Sequence, residues 1–279
     1  MIVFLHVPKT AGSTFQFILE NTFGIRACHT NHNKQKRMTQ DDLNFALKIF
    51  PRVGSLGGHN LIDPLRLSIP NAFHMTFLRD PVERVISQYQ ELAVTGQTHL
   101  TFEESLLTDD SYENLHVKLM AGNRDLDKAK HYLERCNFVG LTEEFELSLE
   151  VLKRLYPGRL NLNYVRKRAA RSNAIRRHLQ QDRRLMELAR QRNRLDIELY
   201  SFAVNEVFPR LCARAGLTAD TAVGSHEKYA HEVRPQRQLC KLFNHLVYRE
   251  ACKFHRWRRK AQPEIEAPIT DAATRETAP

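Results

Sequence analysis

Two short stretches carry residue types that could bind phosphate groups. The first follows an apolar run at the start of the chain and combines a lysine, small residues and hydroxyl residues, namely Lys9, Thr10, Ala11, Gly12, Ser13 and Thr14. A turn from a strand into a helix exposes backbone N–H groups, and the helix dipole favours an anion there. Small residues keep that backbone accessible, and Lys9 adds a positive charge. The stretch therefore predicts a loop that binds the 5′-phosphate end of a nucleotide.

The lysine of this loop is not where nucleoside triphosphate-binding loops have it. Those loops have the form GxxxxGK[ST], with the lysine after the last glycine, whereas Lys9 precedes Gly12. A kinase would also need a carboxylate for Mg²⁺, and the candidate, Asp80, is better placed as a helix cap. The pattern predicts a phosphate donor that is bound without a metal ion. A small-molecule kinase that uses ATP and Mg²⁺ is the chief alternative.

The second stretch runs from His74 to Ser87 and is typical of a strand, a turn and a helix. Arg79 falls at the end of the strand, and Ser87 falls about two turns into the helix. Arginine offers a planar fork of donors to a phosphate monoester, and serine adds a hydroxyl group. Two anion sites at strand ends of one sheet predict a nucleotide that is phosphorylated at both its 5′ and 3′ positions.

Strands and helices alternate around these stretches. Continuous apolar runs predict buried strands at 2–7, 72–78 and 137–141, with shorter strands at 52–56 and 160–165, the last at an edge of the sheet. Helical spacing and capping residues predict helices at 14–22, 39–50, 82–94, 142–155 and 172–201, and shorter ones from 101 and within 111–135. This order predicts an α/β, P-loop-like three-layer fold, with a central, mainly parallel sheet flanked by helices.

The chain changes character after about residue 217. We predict a main domain over 1–216, a linker over 217–234, a basic amphipathic helix over 235–261 and a disordered tail over 262–279. Six apolar residues of the helix fall on one stripe: Leu239, Leu242, Phe243, Leu246, Val247 and Phe254. The stripe could pack on the domain, or it could lie on an acidic membrane or partner.

The 279 residues have a formal net charge of +10, which favours an anionic partner. Twelve Lys or Arg residues and two acidic ones fall between Arg159 and Arg194. This segment could be a solvated helix face, a guide for a polyanionic glycan, or the basis of a nucleic-acid-binding module. Apart from Tyr164 near its start, no aromatic residues interleave with the charges, as stacking platforms for bases would require, so we expect no nucleic-acid partner. The five cysteines are scattered, and no apolar run is long enough to predict a membrane span.

The two phosphate-binding stretches together resemble the 5′-phosphosulfate loop and the 3′-phosphate motif of the sulfotransferases. The resemblance extends in particular to the carbohydrate branch, which includes heparan sulfate 2-O-sulfotransferases and bacterial relatives. Softer matches occur at 57–59, 114–122, 138–143 and 196–200. The resemblance implies 3′-phosphoadenosine 5′-phosphosulfate (PAPS) as donor, a carbohydrate or other hydroxyl as acceptor, and no metal. It also favours a soluble, cytoplasmic protein of bacterial type, with peripheral membrane contact through the C-terminal helix left open.

The same resemblance implies roles for individual residues. Lys9 through Thr14 would bind the 5′-phosphosulfate, Arg79 and Ser87 the 3′-phosphate, and a late basic loop with Arg166 and Lys167 would add to the latter site. Lys9 would also stabilise charge on the leaving oxygen.

A general base must accept the proton of the acceptor hydroxyl. In the glycan branch a histidine in a Gly-His pair after the second strand acts as base, which implies His59 here. Members of that branch can carry another histidine two positions earlier, where this chain has Gly57. His6 is expected to pack locally, and four other histidines are weaker candidates as base: His29, His32, His74 and His99.

Overall fold

The structure of the chain, a computed structural model, describes residues 1–33, 36–50, 52–157, 160–165, 174–218, 221, 223–226 and 236–261. Arg166 and Lys167, predicted to contact the 3′-phosphate, lie outside the described residues. So do the predicted tail, 262–279, and most of the predicted linker, 217–234.

A five-stranded sheet forms the centre of the fold. Its strands are β1 Ile2–Leu5, β2 Ala27–His29, β3 Ser55–Gly58, β4 Phe73–Leu78 and β5 Phe138–Leu141. The order across the sheet is β2-β3-β1-β4-β5, and every adjacent pair is parallel. All four residues of β1 are fully buried, which explains their continuous apolar run. The parallel sheet confirms the predicted fold class and brings the carboxyl ends of the strands to one edge.

Helices flank this sheet. They are α1 Gly12–Phe23, α2 Gln40–Ile49, α3 Pro81–Val94, α4 Phe102–Thr108, α5 Leu115–Ala121, α6 Leu126–Arg135, α7 Phe145–Leu155, α8 Ala174–Gln181, α9 Arg183–Arg192, α10 Arg194–Phe202, α11 Phe208–Arg214, α12 Gln236–Leu242 and α13 Arg249–Ala261. Helix α1 packs on the sheet through Phe15, whose ring lies 5.0 Å from that of Phe4 in β1 and 5.2 Å from that of Phe77 in β4. This aromatic contact sets α1, and the loop before it, directly over the central strands.

The capping residues recognised in the sequence begin three helices. Thr39 and Asp42 form a reciprocal capping box at the start of α2, and Thr101 and Glu104 form another at α4. The side chain of Asp80 accepts a hydrogen bond from the third backbone N–H group of α3. The carboxylate of Asp80 therefore serves as a helix cap, as predicted.

Two predictions beside β5 are wrong. Residues 160–165 do not join the sheet: the backbone N–H of Tyr164 donates to the carbonyl of His226, and its hydroxyl donates to Glu146 on α7. These bonds draw the segment across α7 and away from the strand edge. Thr142 does not cap α7, because both its N–H and its hydroxyl donate to the Leu78 carbonyl at the end of β4. Helix α7 begins at Phe145 instead.

Strand β2 was not predicted, and β3 begins three residues later than predicted. Strand β2 has three residues, which is too short for a periodic apolar signal. The residues just before Ser55 are not part of the strand, although the N–H of Gly54 donates to the carbonyl of Arg26, the residue before β2. The difference leaves the position of His59, directly after β3, unchanged.

Reciprocal hydrogen bonds join the N-termini of α5 and α10. The buried carboxylate of Asp196 accepts from the backbone N–H groups of His116 and Val117, each at 2.9 Å. The side chain of Asn114 accepts from the N–H groups of Leu195 and Asp196, at 2.9 and 3.2 Å. N–H groups at the start of a helix lack acceptors within that helix, and here a side chain at the start of each helix supplies the acceptor for the other. Residues 114–122 and 196–200, which were noted separately in the sequence, are thus joined by these hydrogen bonds into one clamp.

The C-terminal helix, residues 236–261, consists of α12, a π-helical segment Phe243–Tyr248 and α13. Its domain-facing residues recur every fourth position: Cys240, Asn244, Tyr248 and Cys252 are all buried. A regular helix has 3.6 residues per turn, so the wider turns of the π segment keep these residues on one side. None of the helices in the described part of the chain is both long and apolar enough to cross a bilayer.

The apolar stripe of this helix is not its packing face. Phe243 packs against Phe50, at 5.2 Å between ring centroids, but the other five residues of the stripe are exposed. The helix is held instead by Asn244, whose side chain donates to the carbonyl of Ala27 at 2.8 Å and accepts from the N–H of His29 at 3.0 Å. These two backbone groups belong to β2, the strand at the edge of the sheet, so Asn244 takes the place of a further strand there.

Candidate functional site

The loop between β1 and α1 has the backbone form of an anion site. Lys9 and Ala11 have positive φ angles of 68° and 60°, and Ala11 is the N-cap of α1 without a capping side chain. The first N–H groups of α1 are therefore left to a ligand at the positive end of the helix dipole. Thr10 is buried, and its hydroxyl donates to the carbonyl of Val7 at 2.9 Å. Thr10 thus fixes the shape of the loop and does not line the cavity beside it.

A glycine is required at position 12 by a close contact with His6. A Cβ atom at Gly12 would lie 1.9 Å from Cδ2 of the His6 ring, which is far inside van der Waals contact. His6 follows β1 and stacks on Phe4, with 5.4 Å between ring centroids. It packs locally, as expected, and it also lines the cavity. Because position 12 has no side chain, the imidazole of His6 can lie against the loop.

The second predicted stretch lies beside the first. Arg79 follows β4, and its Nη1 donates to the carbonyl of Lys9 at 3.3 Å. The Nε of Arg79 is buried and has no hydrogen-bond partner among the described residues. Burial lowers the pKa of Arg79, while the carboxylates of Glu143 and Glu83, each 4.0 Å away, raise it. A partly buried guanidinium with an unused donor is suited to a phosphate group.

Both stretches open into one cavity of about 840 Å³. Eight of the predicted site residues line it, namely Lys9, Ala11, Gly12, Ser13, Thr14, His59, Arg79 and Ser87. A ligand with anionic groups at two ends could therefore contact the loop and Arg79 together.

Arg176 is a cavity residue that the sequence analysis missed. It is in α8, and its Nη2 lies 2.6 Å from Oε2 of Glu83. Glu83 also faces Arg79, so the two guanidinium groups share one carboxylate at this end of the cavity. The basic segment 159–194 was recognised in the sequence, but nothing in it distinguished Arg176 from its neighbours. Only the packing of α8 against α3 places this arginine in the cavity.

Carboxylates are the other group that sequence reasoning missed. Five glutamates line the cavity: Glu83, Glu91, Glu143, Glu144 and Glu146. The Nζ of Lys9 lies 2.9 Å from Oε2 of Glu91, and this pair is partly buried. Because Lys9 and Arg176 are each paired with a carboxylate, a bound phosphate must compete with these partners.

The most apolar wall of the cavity is formed by residues on and beside α7. Phe145, Leu147, Tyr164 and Val223 line it. Glu146 holds this wall together by accepting hydrogen bonds from the Tyr164 hydroxyl at 2.8 Å and from the backbone N–H of His226 at 3.0 Å. Burial raises the pKa of Glu146, but these bonds outweigh it and lower the pKa below its usual value. An aromatic and aliphatic wall suits a flat heteroaromatic ring.

His59 lies at the C-terminal end of β3 and is held there by two hydrogen bonds. Its backbone N–H donates to the side chain of Asn31 at 2.8 Å, and its Nδ1 lies 2.7 Å from the carbonyl of His6. A carbonyl can only accept, so Nδ1 carries the proton and Nε2 of the neutral ring is an acceptor. The rings of His59 and His6 are 4.1 Å apart. His59 thus presents a basic nitrogen in the tautomer that a general base needs.

Gly57 stands two positions before His59, where the resemblance implies that a second histidine can occur. It lies within β3, where a Cβ atom would be 2.6 Å from Oε1 of Gln16 in α1. A histidine at this position would displace Gln16. The second imidazole near His59 is that of His6, the residue after β1.

Comparison with known proteins identifies the family of the chain. A sequence model of the sulfotransferase family matches residues 1–203, which include all five strands and every cavity residue discussed above except Val223. A search of curated proteins gave no significant match. The family match covers well over half of the chain, and the chain therefore belongs to the sulfotransferase family.

Proposed function

We propose that the protein transfers a sulfuryl group from PAPS to the hydroxyl group of a carbohydrate, without a metal ion. One observation carries the proposal: the loop at Lys9, the guanidinium of Arg79 and the imidazole of His59 all face the same cavity. The family supports sulfuryl transfer, and the two anion sites support a donor with phosphate groups at both its 5′ and 3′ positions.

The residues present fit such a donor. The uncapped N-terminus of α1, with Lys9, Ser13 and Thr14, would bind the 5′-phosphosulfate. Arg79, with its buried and unused Nε, would bind the 3′-phosphate together with Ser87 and Arg176. The aromatic wall at Phe145 and Tyr164 would contact the adenine ring. PAPS supplies a sulfuryl group that is activated by its bond to phosphate.

The chain's own residues perform two tasks in the reaction. His59 would take the proton of the acceptor hydroxyl at Nε2 as the new sulfur–oxygen bond forms. The N–H groups of the loop and the ammonium of Lys9 would stabilise the negative charge left on the phosphate oxygen when the old bond breaks. The hydrogen bond from Nδ1 of His59 to the His6 carbonyl stabilises the ring as it becomes charged.

A carbohydrate acceptor is supported by the Gly-His pair at positions 58 and 59, which resembles the pair in glycan sulfotransferases. The described part of the basic segment does not add to this support. Several of its arginines are paired with glutamates of the domain, including Arg184 with Glu103 and Arg192 with Glu113. This pairing reduces the charge available to any polyanion, whether a glycan or a nucleic acid.

Calorimetric titration with 3′-phosphoadenosine 5′-phosphate, the product form of the donor, tests the proposal. We expect micromolar or tighter binding in the presence of EDTA, and binding of ATP with Mg²⁺ that is at least tenfold weaker. Preferential binding of ATP with Mg²⁺ would support the kinase alternative instead. Sulfate transfer from labelled PAPS to a panel of oligosaccharides then tests the acceptor class.

A further inference from the structure

The outward face of the C-terminal helix carries a row of large apolar side chains. Leu239, Leu242 and Leu246 follow one another at spacings of three and four residues, and Val247, Phe254 and Trp257 extend the row. These six side chains are between 46% and 64% exposed. The row belongs to an ordered helix whose other face is fixed to the domain, so its exposure is a property of the folded chain.

The ends of the row differ in character. The aliphatic residues lie on α12 and the π segment, whereas the aromatic pair lies on α13, with 5.6 Å between the rings of Phe254 and Trp257. Tryptophan is enriched where a protein meets the headgroup region of a bilayer, because its ring is apolar and its N–H is polar.

Positive charge surrounds this row. Residues 236–261 contain eight Lys or Arg and one acidic residue. That acidic residue, Glu250, is neutralised by Lys253, whose Nζ lies 2.7 Å from its carboxylate. Lys241 and Arg258 are exposed. The helix therefore combines an apolar row with a cationic border.

We propose that this face docks the protein on an anionic lipid bilayer, with the helix lying in the plane of the interface. Leu, Phe and Trp side chains would enter the acyl–headgroup boundary, while Lys and Arg would contact acidic headgroups. A second copy of the chain would bring two strongly cationic helices together, which their charges oppose. A nucleic acid would satisfy the charges but would leave the aliphatic residues in water. An anionic bilayer matches both features.

The chain carries its own probe for this contact, because Trp257 is its only tryptophan. We expect its emission to shift to shorter wavelength when vesicles of phosphatidylcholine and phosphatidylserine are added. Binding to these vesicles should be at least about tenfold tighter than binding to pure phosphatidylcholine, and it should weaken as salt is raised.

Matched variants separate the apolar row from the rest of the surface. Leu246→Asp and Phe254→Asp should each weaken vesicle binding at least fivefold. Leu107→Asp, at an equally exposed leucine on α4, should bind like the unmodified chain. All three positions are on the surface, so thermal unfolding should show that the variants fold.

Three results would overturn the proposal. They are the absence of a shift with anionic vesicles, equal binding to neutral and anionic vesicles, and a shift that appears without vesicles as protein concentration rises. The last result, together with a dimer in size-exclusion chromatography, would assign the face to a second copy of the chain.

Discussion

The ammonium group of Lys9 lies 2.9 Å from the carboxylate of Glu91, so the positive charge of the loop is already paired with a residue of α3. An incoming phosphate must draw Lys9 away from this carboxylate or share it. The pair therefore sets part of the donor affinity, and it joins the loop to the helix that follows Arg79.

Glu91→Gln should tighten binding of 3′-phosphoadenosine 5′-phosphate by about two- to fivefold, because exposed or partly exposed ion pairs are worth up to about 1 kcal/mol. Lys9→Met should weaken it. Calorimetry measures both effects, and Glu187→Gln on the exposed face of α9 is the control for net charge. If Glu91→Gln weakens binding instead, Glu91 orients Lys9 and does not compete for it.

Arg176→Met should weaken binding of 3′-phosphoadenosine 5′-phosphate by about ten- to a hundredfold, since hydrogen bonds to charged groups contribute about 1.5–3 kcal/mol. Adenosine 5′-phosphate, which lacks the 3′-phosphate, should bind this variant as it binds the unmodified chain. The neighbouring Arg177→Met is the matched control, because Arg177 is exposed on the same helix and does not line the cavity. Equal losses of affinity for the two nucleotides would show that Arg176 does not bind the 3′-phosphate.

His59→Asn should lower kcat by about a hundredfold or more, the usual contribution of a general base, and should leave nucleotide affinity nearly unchanged. His6→Asn removes a neighbouring ring but keeps the backbone carbonyl that orients His59, so its kcat should fall far less. Steady-state rates against pH provide the second readout, because the rise of rate with pH should be lost in His59→Asn. A larger loss in His6→Asn than in His59→Asn would move the role of base to His6.

Asp196→Ala should destabilise the fold by about 2–5 kcal/mol, because two buried N–H groups at the start of α5 lose their acceptor and each unsatisfied group costs about 1–3 kcal/mol. Glu198→Ala, on the exposed side of the same helix, should change stability by less than about 0.5 kcal/mol. Urea unfolding followed by circular dichroism gives both values. Similar stabilities for the two variants would show that the clamp contributes little.

The fold should lose stability as the pH falls from about 6.5 to about 4. Burial lowers the pKa values of His29, His32 and His116 to about 4 in the folded chain. In the unfolded chain they titrate near 6.5, so below that pH the unfolded state binds more protons. Both ring nitrogens of His116 lack hydrogen-bond partners among the described residues. His116→Gln should therefore flatten the dependence of the urea midpoint on pH between 7.5 and 4.5. An unchanged slope would show that His116 does not contribute to the loss of stability at low pH.

Local signals in the sequence were sufficient for four of the five strands and for the local structure of the two stretches that are proposed to bind anions. Asp80 and Pro81 mark the start of α3, and the apolar run before Lys9 marks a buried strand, because each signal acts within a few residues. The parallel sheet then brings Arg79 to the loop, since strand ends meet at one edge.

Contacts between distant segments could not be read in the same way. Arg176 reaches the cavity through the packing of α8 on α3, and Glu91 reaches Lys9 across 82 residues of sequence. The C-terminal helix was recognised as amphipathic, but its orientation depends on Asn244 and the π segment. The side chain of Asn244 bonds to the sheet edge, and the leucines lie on the opposite, exposed side of the helix.

The side-chain amide of Asn244 also has a consequence for the solubility of the protein. Strand β2 is the last strand on its side of the sheet, and its backbone groups are satisfied by a single amide and covered by one helix. A chain that ended before residue 236 would present those groups to other molecules as a template for strand addition. Proteolytic loss of the helix should therefore promote self-association of the protein through β2.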